Sequence, residues 1–219
     1  MSNLTPVAIL LVGTGGVAYS YYSAPERVNK SISSKVNVLF KDKYGEALLR
    51  ENHDQAVWQG KWNVMKASKP THDLLKKAIE HTNYSHEAQK LHKEGCLNIY
   101  ESVVMATSYF SDFQQYCAKN NRDVLIGKWI VEDPSKKAKN KKGSDWDKKL
   151  EELQKVKKQE LSVGLLDLYA QLEKVKAPKD LKDEHRVALK GWCDSSGEEI
   201  YLGSEVGAFK VVKKFCTSN

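Results

Sequence analysis

The chain has 219 residues, with 35 Lys+Arg against 28 Asp+Glu and four cysteines. At roughly 100–200 residues per domain, this is one domain or two small ones. Apolar residues at 41% exclude wholesale disorder, and 5 prolines and 13 glycines exclude collagen-like and most low-complexity architectures.

Four cysteines are too sparse for a disulfide-dense miniprotein. The net charge of +7 favours anionic partners without identifying one. The first charged side chain is Glu26, and Leu4–Tyr22 is a mostly apolar run. As a helix rising ~1.5 Å per residue, that run would cover roughly 28 Å, close to the hydrocarbon thickness of a bilayer. Residues 1–25 therefore read as a single-pass anchor, with the lipid bilayer as partner through residues 4–22. Tyr19, Tyr21 and Tyr22 sit where an aromatic interface belt belongs, and Arg27 and Lys30 follow.

Two other readings of this segment stand beside the anchor. A cleaved signal peptide would use the small residues of Ala18-Tyr19-Ser20, although no Lys or Arg precedes the apolar run. A dinucleotide site would use Gly13, Gly15 and Ala18 as the G-x-G-x-x-G/A pattern, Val36–Phe40 as a second strand and Asp42 near the ribose. Pro25 interrupts the crossover helix that such a site needs. The remainder of the chain also lacks the alternating strands and helices of a doubly wound sheet.

After a linker at 26–34, the pattern predicts a mainly α fold with minor β, in two repeated helical modules at 35–120 and 121–219. Val36–Lys43 reads as a short helix and Glu46–Arg50 as strand-like. Gln55–Lys66 places Val57, Trp58, Trp62 and Met65 on one helical face. Thr71 or His72 caps a helix at Asp73–His81, and Ser85 starts a long helical tract toward Ala118. In the second module, Trp146, Leu150 and Leu153 form a stripe. Leu161, Leu165, Leu168, Leu172 and Val175 form another, ended by Pro178. Leu181–Trp192 follows, Asp194–Gly197 breaks the chain, and Glu205–Phe215 resumes it.

The repeat rests on a shared order of residues. Trp58-x-x-Lys61 resembles Trp146-x-x-Lys149, and Val36-Asn37-Val38-Leu39 resembles Val124-Leu125-Ile126, both at an offset of 88. Gly95-Cys96 resembles Gly191-Trp192-Cys193. Phe110-x-x-Phe113-x-x-Tyr116-Cys117 resembles Phe209-x-x-Val212-x-x-Phe215-Cys216, at an offset of 99. The second copy thus holds a net insertion between Lys149 and Cys193.

The cysteines are the sharpest chemical feature. Cys96, Cys117, Cys193 and Cys216 are candidate disulfide residues if the segment is exported, and three connectivities are open. In one unbroken helix, Cys96 and Cys117 would stand roughly 32 Å apart, against the roughly 4.4–6.8 Å that a disulfide requires. Either the helix folds back near Ala106–Ser111 or these two do not pair. The other reading is four reduced cysteines acting as small apolar core residues.

The remaining motifs carry little chemistry. His86, His92 and Cys96 have ligand-compatible helical spacing, but no second ligand pair follows, so no metal or other cofactor is expected. Trp58, Trp62, Trp146 and Trp192 lie in helical stripes with aliphatic neighbours and read as core. The basic segment Pro134–Gly143 has no interleaved aromatic residue, so nucleic acid is not an expected partner. A basic nucleic-acid-binding protein using Lys136–Lys142 remains an alternative, as does an enzyme using Gly13, Gly15 and Ala18 or a reactive cysteine. No catalytic motif is found.

An apolar, Gly-rich N-terminal segment, a Trp-x-x-Lys helix, Trp192-Cys193 and a terminal Phe215-Cys216-Thr217 occur in that order. Over most of its length this chain resembles the large paralogous families of uncharacterised proteins of haemotropic mycoplasmas, although it carries the unit twice. The resemblance implies a membrane-anchored, surface-displayed product of a wall-less bacterium living on red blood cells. It implies antigenic variation and host surface proteins as partners, and it supplies no catalytic residue. Arg27 and Lys30 taken alone would place the modules in the cytoplasm by the positive-inside rule; the resemblance places them outside.

Overall fold

The computed structural model describes residues 37–125, 127–135, 144–177 and 180–218. The anchor at residues 4–22, the Gly13-Gly15-Ala18 pattern, the linker and the basic run Lys136–Lys142 lie outside them. The described residues are mainly helical, with isolated bridges in place of strands, and no helix among them is long and apolar enough to cross a membrane.

The first half begins with α1 (Phe40–Lys43) and a 3₁₀ turn at Gly45–Ala47. The strand expected at Glu46–Arg50 is reduced to one bridge, Leu48 to Ala118, because the 3₁₀ turn consumes its first residues. Helix α2 (Gln55–Lys66) has the expected bounds and buries Val57, Trp58, Trp62 and Met65. Helix α3 (Asp73–Ile79) is capped by His72, whose Nδ1 accepts the Leu74 N–H. The buried Asp112 carboxylate accepts the N–H groups of Thr71 and His72 at 2.8 and 2.7 Å, fixing the entry to α3. Ser85 caps α4 (His86–Tyr100) by accepting the Ala88 N–H. Gly95 is needed where α3 and α4 meet, since a Cβ there would lie 2.7 Å from Leu75 Cδ2.

Helix α4 stops at Tyr100, which corrects the long tract expected from Ser85 toward Ala118. Two competing bonds take over at its end. Ser102 Oγ bonds the Ile99 carbonyl at 2.7 Å, and the Val104 N–H donates to Val38 O at 3.0 Å. The chain then returns through α5 (Phe110–Asp112), which runs into a π-helical turn at Phe113–Cys117. Phe40, Trp58, Trp62, Met65, Ile99 and Phe113 belong to the core that this half closes around.

Helix α6 (Asn121–Val124) leads into the second half. Helix α7 (Asp145–Gln154) starts with a capping box between Ser144 and Asp147 and buries Trp146, Leu150 and Leu153. The stripe from Leu161 to Val175 is not one helix but 3₁₀ turns at Lys158–Glu160 and Val163–Leu165 followed by α8 (Leu166–Leu172). Gly164 is the cause: the Trp192 ring lies 2.9 Å from where its Cβ would be, so tertiary packing sets the backbone there. Helix α9 (Asp183–Gly197) runs through the expected break at Asp194–Gly197, and Gly203, at φ 118, marks the real one. Asp194 stays helical because its carboxylate is held by Arg122 and Lys190. Helix α10 (Gly207–Cys216) completes a second core around Trp146, Leu150, Leu165, Leu189, Val212 and Phe215.

The halves share a tryptophan helix, a cysteine helix and the return that follows it. Helices α4 and α9 each have 15 residues, with the cysteine at the same position, Cys96 and Cys193. The residue after each second cysteine bridges back to the segment before the tryptophan helix, Ala118 to Leu48 and Thr217 to Trp129. Corresponding N–H groups, of Lys119 and Ser218, donate to Ala47 O at 2.7 Å and Lys128 O at 2.8 Å.

Residues 118–122 join the halves. Asn120 bridges Ile200, the Asn121 N–H donates to Glu199 O at 3.0 Å, and the Tyr201 N–H donates to Lys119 O at 2.9 Å. Below them the buried Lys61 ammonium bonds Asn120 Oδ1 and pairs with Asp123 at 2.8 Å, while Asn120 Nδ2 donates to Glu198 at 2.9 Å. Replacing Asn120 would leave a buried ammonium under-bonded, which costs on the order of 1–3 kcal/mol. Asn120→Ala should therefore lower the thermal midpoint and uncouple the halves into two transitions in calorimetry. A single transition at the unchanged midpoint would contradict this.

Candidate functional site

The four cysteines come together in pairs within each half. Cys96 and Cys117 have Cα atoms 5.2 Å apart and Cys193 and Cys216 5.5 Å apart, each pair joined as a disulfide and buried. Of the three connectivities, the structure has the one that helical register opposed. It is reached because α4 ends four residues after Cys96 and the chain folds back, so the 21-residue separation closes on itself.

Two buried side chains brace the first disulfide. The Tyr100 hydroxyl donates to Cys117 O at 2.6 Å and accepts the Leu49 N–H at 3.2 Å, tying the bridge to the segment beside it. Burial raises its pKa, so it stays a phenol. His92, one turn before Cys96, sits between Tyr84 Oη at 3.2 Å and Tyr116 O at 3.0 Å. The carbonyl can only accept, so Nε2 carries the proton and Nδ1 accepts from Tyr84. Trp58 packs edge-on against this ring at 4.9 Å. His92 is thus occupied as a neutral core histidine and Cys96 as a disulfide. His86 is exposed on the outer surface of α4. The three do not converge, and among the described residues no cluster of His, Cys, Asp and Glu is arranged to hold a metal.

A cavity of about 430 Å³ opens beside this cluster, between the Leu49–Glu51 segment, the first turn of α2 and the outer face of α4. Leu49, Trp58, Leu97 and Tyr100 give it apolar walls, and Lys90 and Lys93 stand among its polar lining. Lys93 pairs with Glu51 at 2.9 Å. Trp58 is only 5% exposed, and its indole N–H is buried with no hydrogen-bond partner among the described residues. Sequence periodicity placed Trp58 correctly in the core but carried no sign of this unspent donor.

The second half uses the corresponding residues differently. Trp146, the counterpart of Trp58, is fully buried and donates its indole N–H to Glu132 O at 2.9 Å. Arg186, the counterpart of Gln89 when Cys193 is matched to Cys96, is buried. It bonds Asp147 at 2.6 Å, Pro134 O at 3.0 Å and Asp183. In the first half Gln59 and His86 stand where Asp147 and Asp183 do, and Gln89 bonds Tyr84 O instead. The signal was in the sequence as an Arg-to-Gln difference between copies, but it is meaningful only once the copies are superposed. Comparison with known protein families, curated proteins and solved structures finds no match for this chain.

Burial, opposed by the Tyr116 bond, lowers the His92 pKa to about 4 from 6.5. The unfolded chain therefore binds the proton more readily between these values. Stability is full above pH 6.5 and is lost as pH falls, by about 3 kcal/mol from pH 7 to pH 4 for this group. Burial lowers His72 as well, which adds in the same direction. Denaturation midpoints measured over pH 4–7 should fall with acid, and His92→Gln should flatten that slope. An identical slope in the variant would contradict the assignment.

Proposed function

We propose that the chain is a membrane-anchored surface protein that displays two copies of one disulfide-closed helical module outside the cytoplasm, as a non-enzymatic interaction or antigen surface. The observation that carries this reading is the pairing of all four cysteines as two buried disulfides. Disulfides of this kind form and persist in oxidising compartments and are rare where glutathione and thioredoxin keep thiols reduced. A closed loop of about twenty residues contributes roughly 3 kcal/mol, so the modules depend on that compartment for stability.

The anchor is supplied by the apolar run Leu4–Tyr22. Residues 26–34 then serve as the tether. The resemblance to the paralogous families of haemotropic mycoplasmas, carried by Trp192-Cys193 and Phe215-Cys216-Thr217, supports a host-cell setting with host surface proteins as partners. Two copies of the module in one chain also favour display, since divergence in one copy leaves the other to hold the frame.

The test is topology in intact cells. Protease added outside should remove both modules, and an impermeant thiol reagent should label no cysteine until reductant is supplied. Protection of the modules until lysis, with thiols free on opening the cells, would overturn the proposal.

A further inference from the structure

Four side chains meet around one carboxamide beneath the segment that joins the halves. Lys61 projects from α2 and is 5% exposed, and Asn120 is 6% exposed. The Lys61 Nζ donates to Asn120 Oδ1. Asp123 lies 2.8 Å from the same Nζ, and its carboxylate also accepts the Asn120 backbone N–H at 2.9 Å. On the far side, Asn120 Nδ2 donates to Glu198 at 2.9 Å. Each side-chain nitrogen thus has its own carboxylate, and the ammonium polarises the carbonyl between them.

An ion pair alone would need only Lys61 and Asp123. This arrangement adds a carboxamide that is held in place. The backbone of Asn120 is fixed by its bridge to Ile200 and by the bonds of its neighbours Lys119 and Asn121 to Tyr201 and Glu199. Glu198 fixes the amide group itself. An amine held against a carbonyl gains the proximity that makes a slow bimolecular step intramolecular. Burial also keeps water from competing for that carbonyl.

We infer that Lys61 and Asn120 are a self-reacting pair that closes into an isopeptide bond between α2 and the joining segment. Asp123 takes one proton from the Lys61 ammonium, which frees the nitrogen lone pair. The Nζ–Cγ bond forms and the Cγ–Nδ2 bond breaks. A second proton passes from Nζ to Nδ2, which leaves as ammonia, takes the proton held on Asp123 and departs as ammonium past Glu198. Lysine and carboxamide become a secondary amide and ammonium, with no oxidant or co-reactant. Asp123 also lines an open cavity of about 540 Å³ with Lys119 and Tyr201, which gives the ammonium a way out. The product locks the halves at the place where noncovalent bonds already couple them. This chemistry goes beyond the surface role given above and does not rest on it.

The experiment is mass spectrometry of the purified full chain with both disulfides formed, read first as the intact mass after reduction and then as tryptic peptides. The intact mass should lie about 17 Da below the sequence value, the mass of the ammonia lost. Trypsin does not cut after an acylated lysine, so residues 51–66 should appear joined to residues 120–122. Lys61→Arg, which keeps the charge, should have the full mass. Asp123→Asn should acquire the bond about a hundredfold more slowly, a readout that a merely structural role would not move. Full mass after prolonged incubation of the folded chain would overturn the proposal. So would the lower mass with free cleavage after Lys61, which marks a succinimide instead.

Discussion

A cysteine on a helix reaches a second cysteine some twenty residues later only if the helix ends promptly and the chain turns back. Both α4 and α9 end four residues after their cysteine. That stop is the condition for the 5.2 and 5.5 Å Cα separations of the disulfides. Everything downstream follows from the return. The second cysteine lands on the same face as the first, and the next residue bridges the segment before the tryptophan helix. The core of each half is enclosed between these contacts, and each half is closed end to end.

The price of such a small enclosed core is that polar side chains are trapped in it, and most of the charged ones find partners within it. Lys61 is met by Asn120 and Asp123, Asp112 by two backbone N–H groups, and His92 by a phenol and a carbonyl. Arg186 does the same in the second half with Asp147, Asp183 and Pro134 O. Buried charges held this way specify one arrangement more than they add stability. The halves share the closure and differ in these inserts. One half buries an arginine between two carboxylates, and the other buries a tryptophan N–H that has no partner among the described residues. A repeated frame with divergent inserts suits a surface whose task is recognition.

Local signals were legible in the sequence where local chemistry decides. The apolar face of Gln55–Lys66 and the caps His72 and Ser85 gave elements that the structure has. The four cysteines were legible as candidate disulfide residues with three connectivities open, and helical register argued against Cys96 with Cys117 until the turn at 101–109 was known. What was not legible arises from contacts distant in sequence. Gly164 breaks a leucine stripe because Trp192 packs on it, and Gly197 stays helical while Trp129 sits 2.9 Å from its would-be Cβ. Just past the end of helix α4 the Val104 N–H donates to Val38 O, a partner far away in sequence. The cavity was invisible for the same reason, since its walls come from Leu49, Glu51, Trp58 and α4, which are distant in sequence.

The most direct measurement of this account is peptide mapping by mass spectrometry of the chain digested without reductant and with free thiols blocked. The account predicts two linked peptide pairs, Cys96 with Cys117 and Cys193 with Cys216, and no blocked thiol. Links between the halves, such as Cys96 with Cys193, or four blocked cysteines, would contradict it.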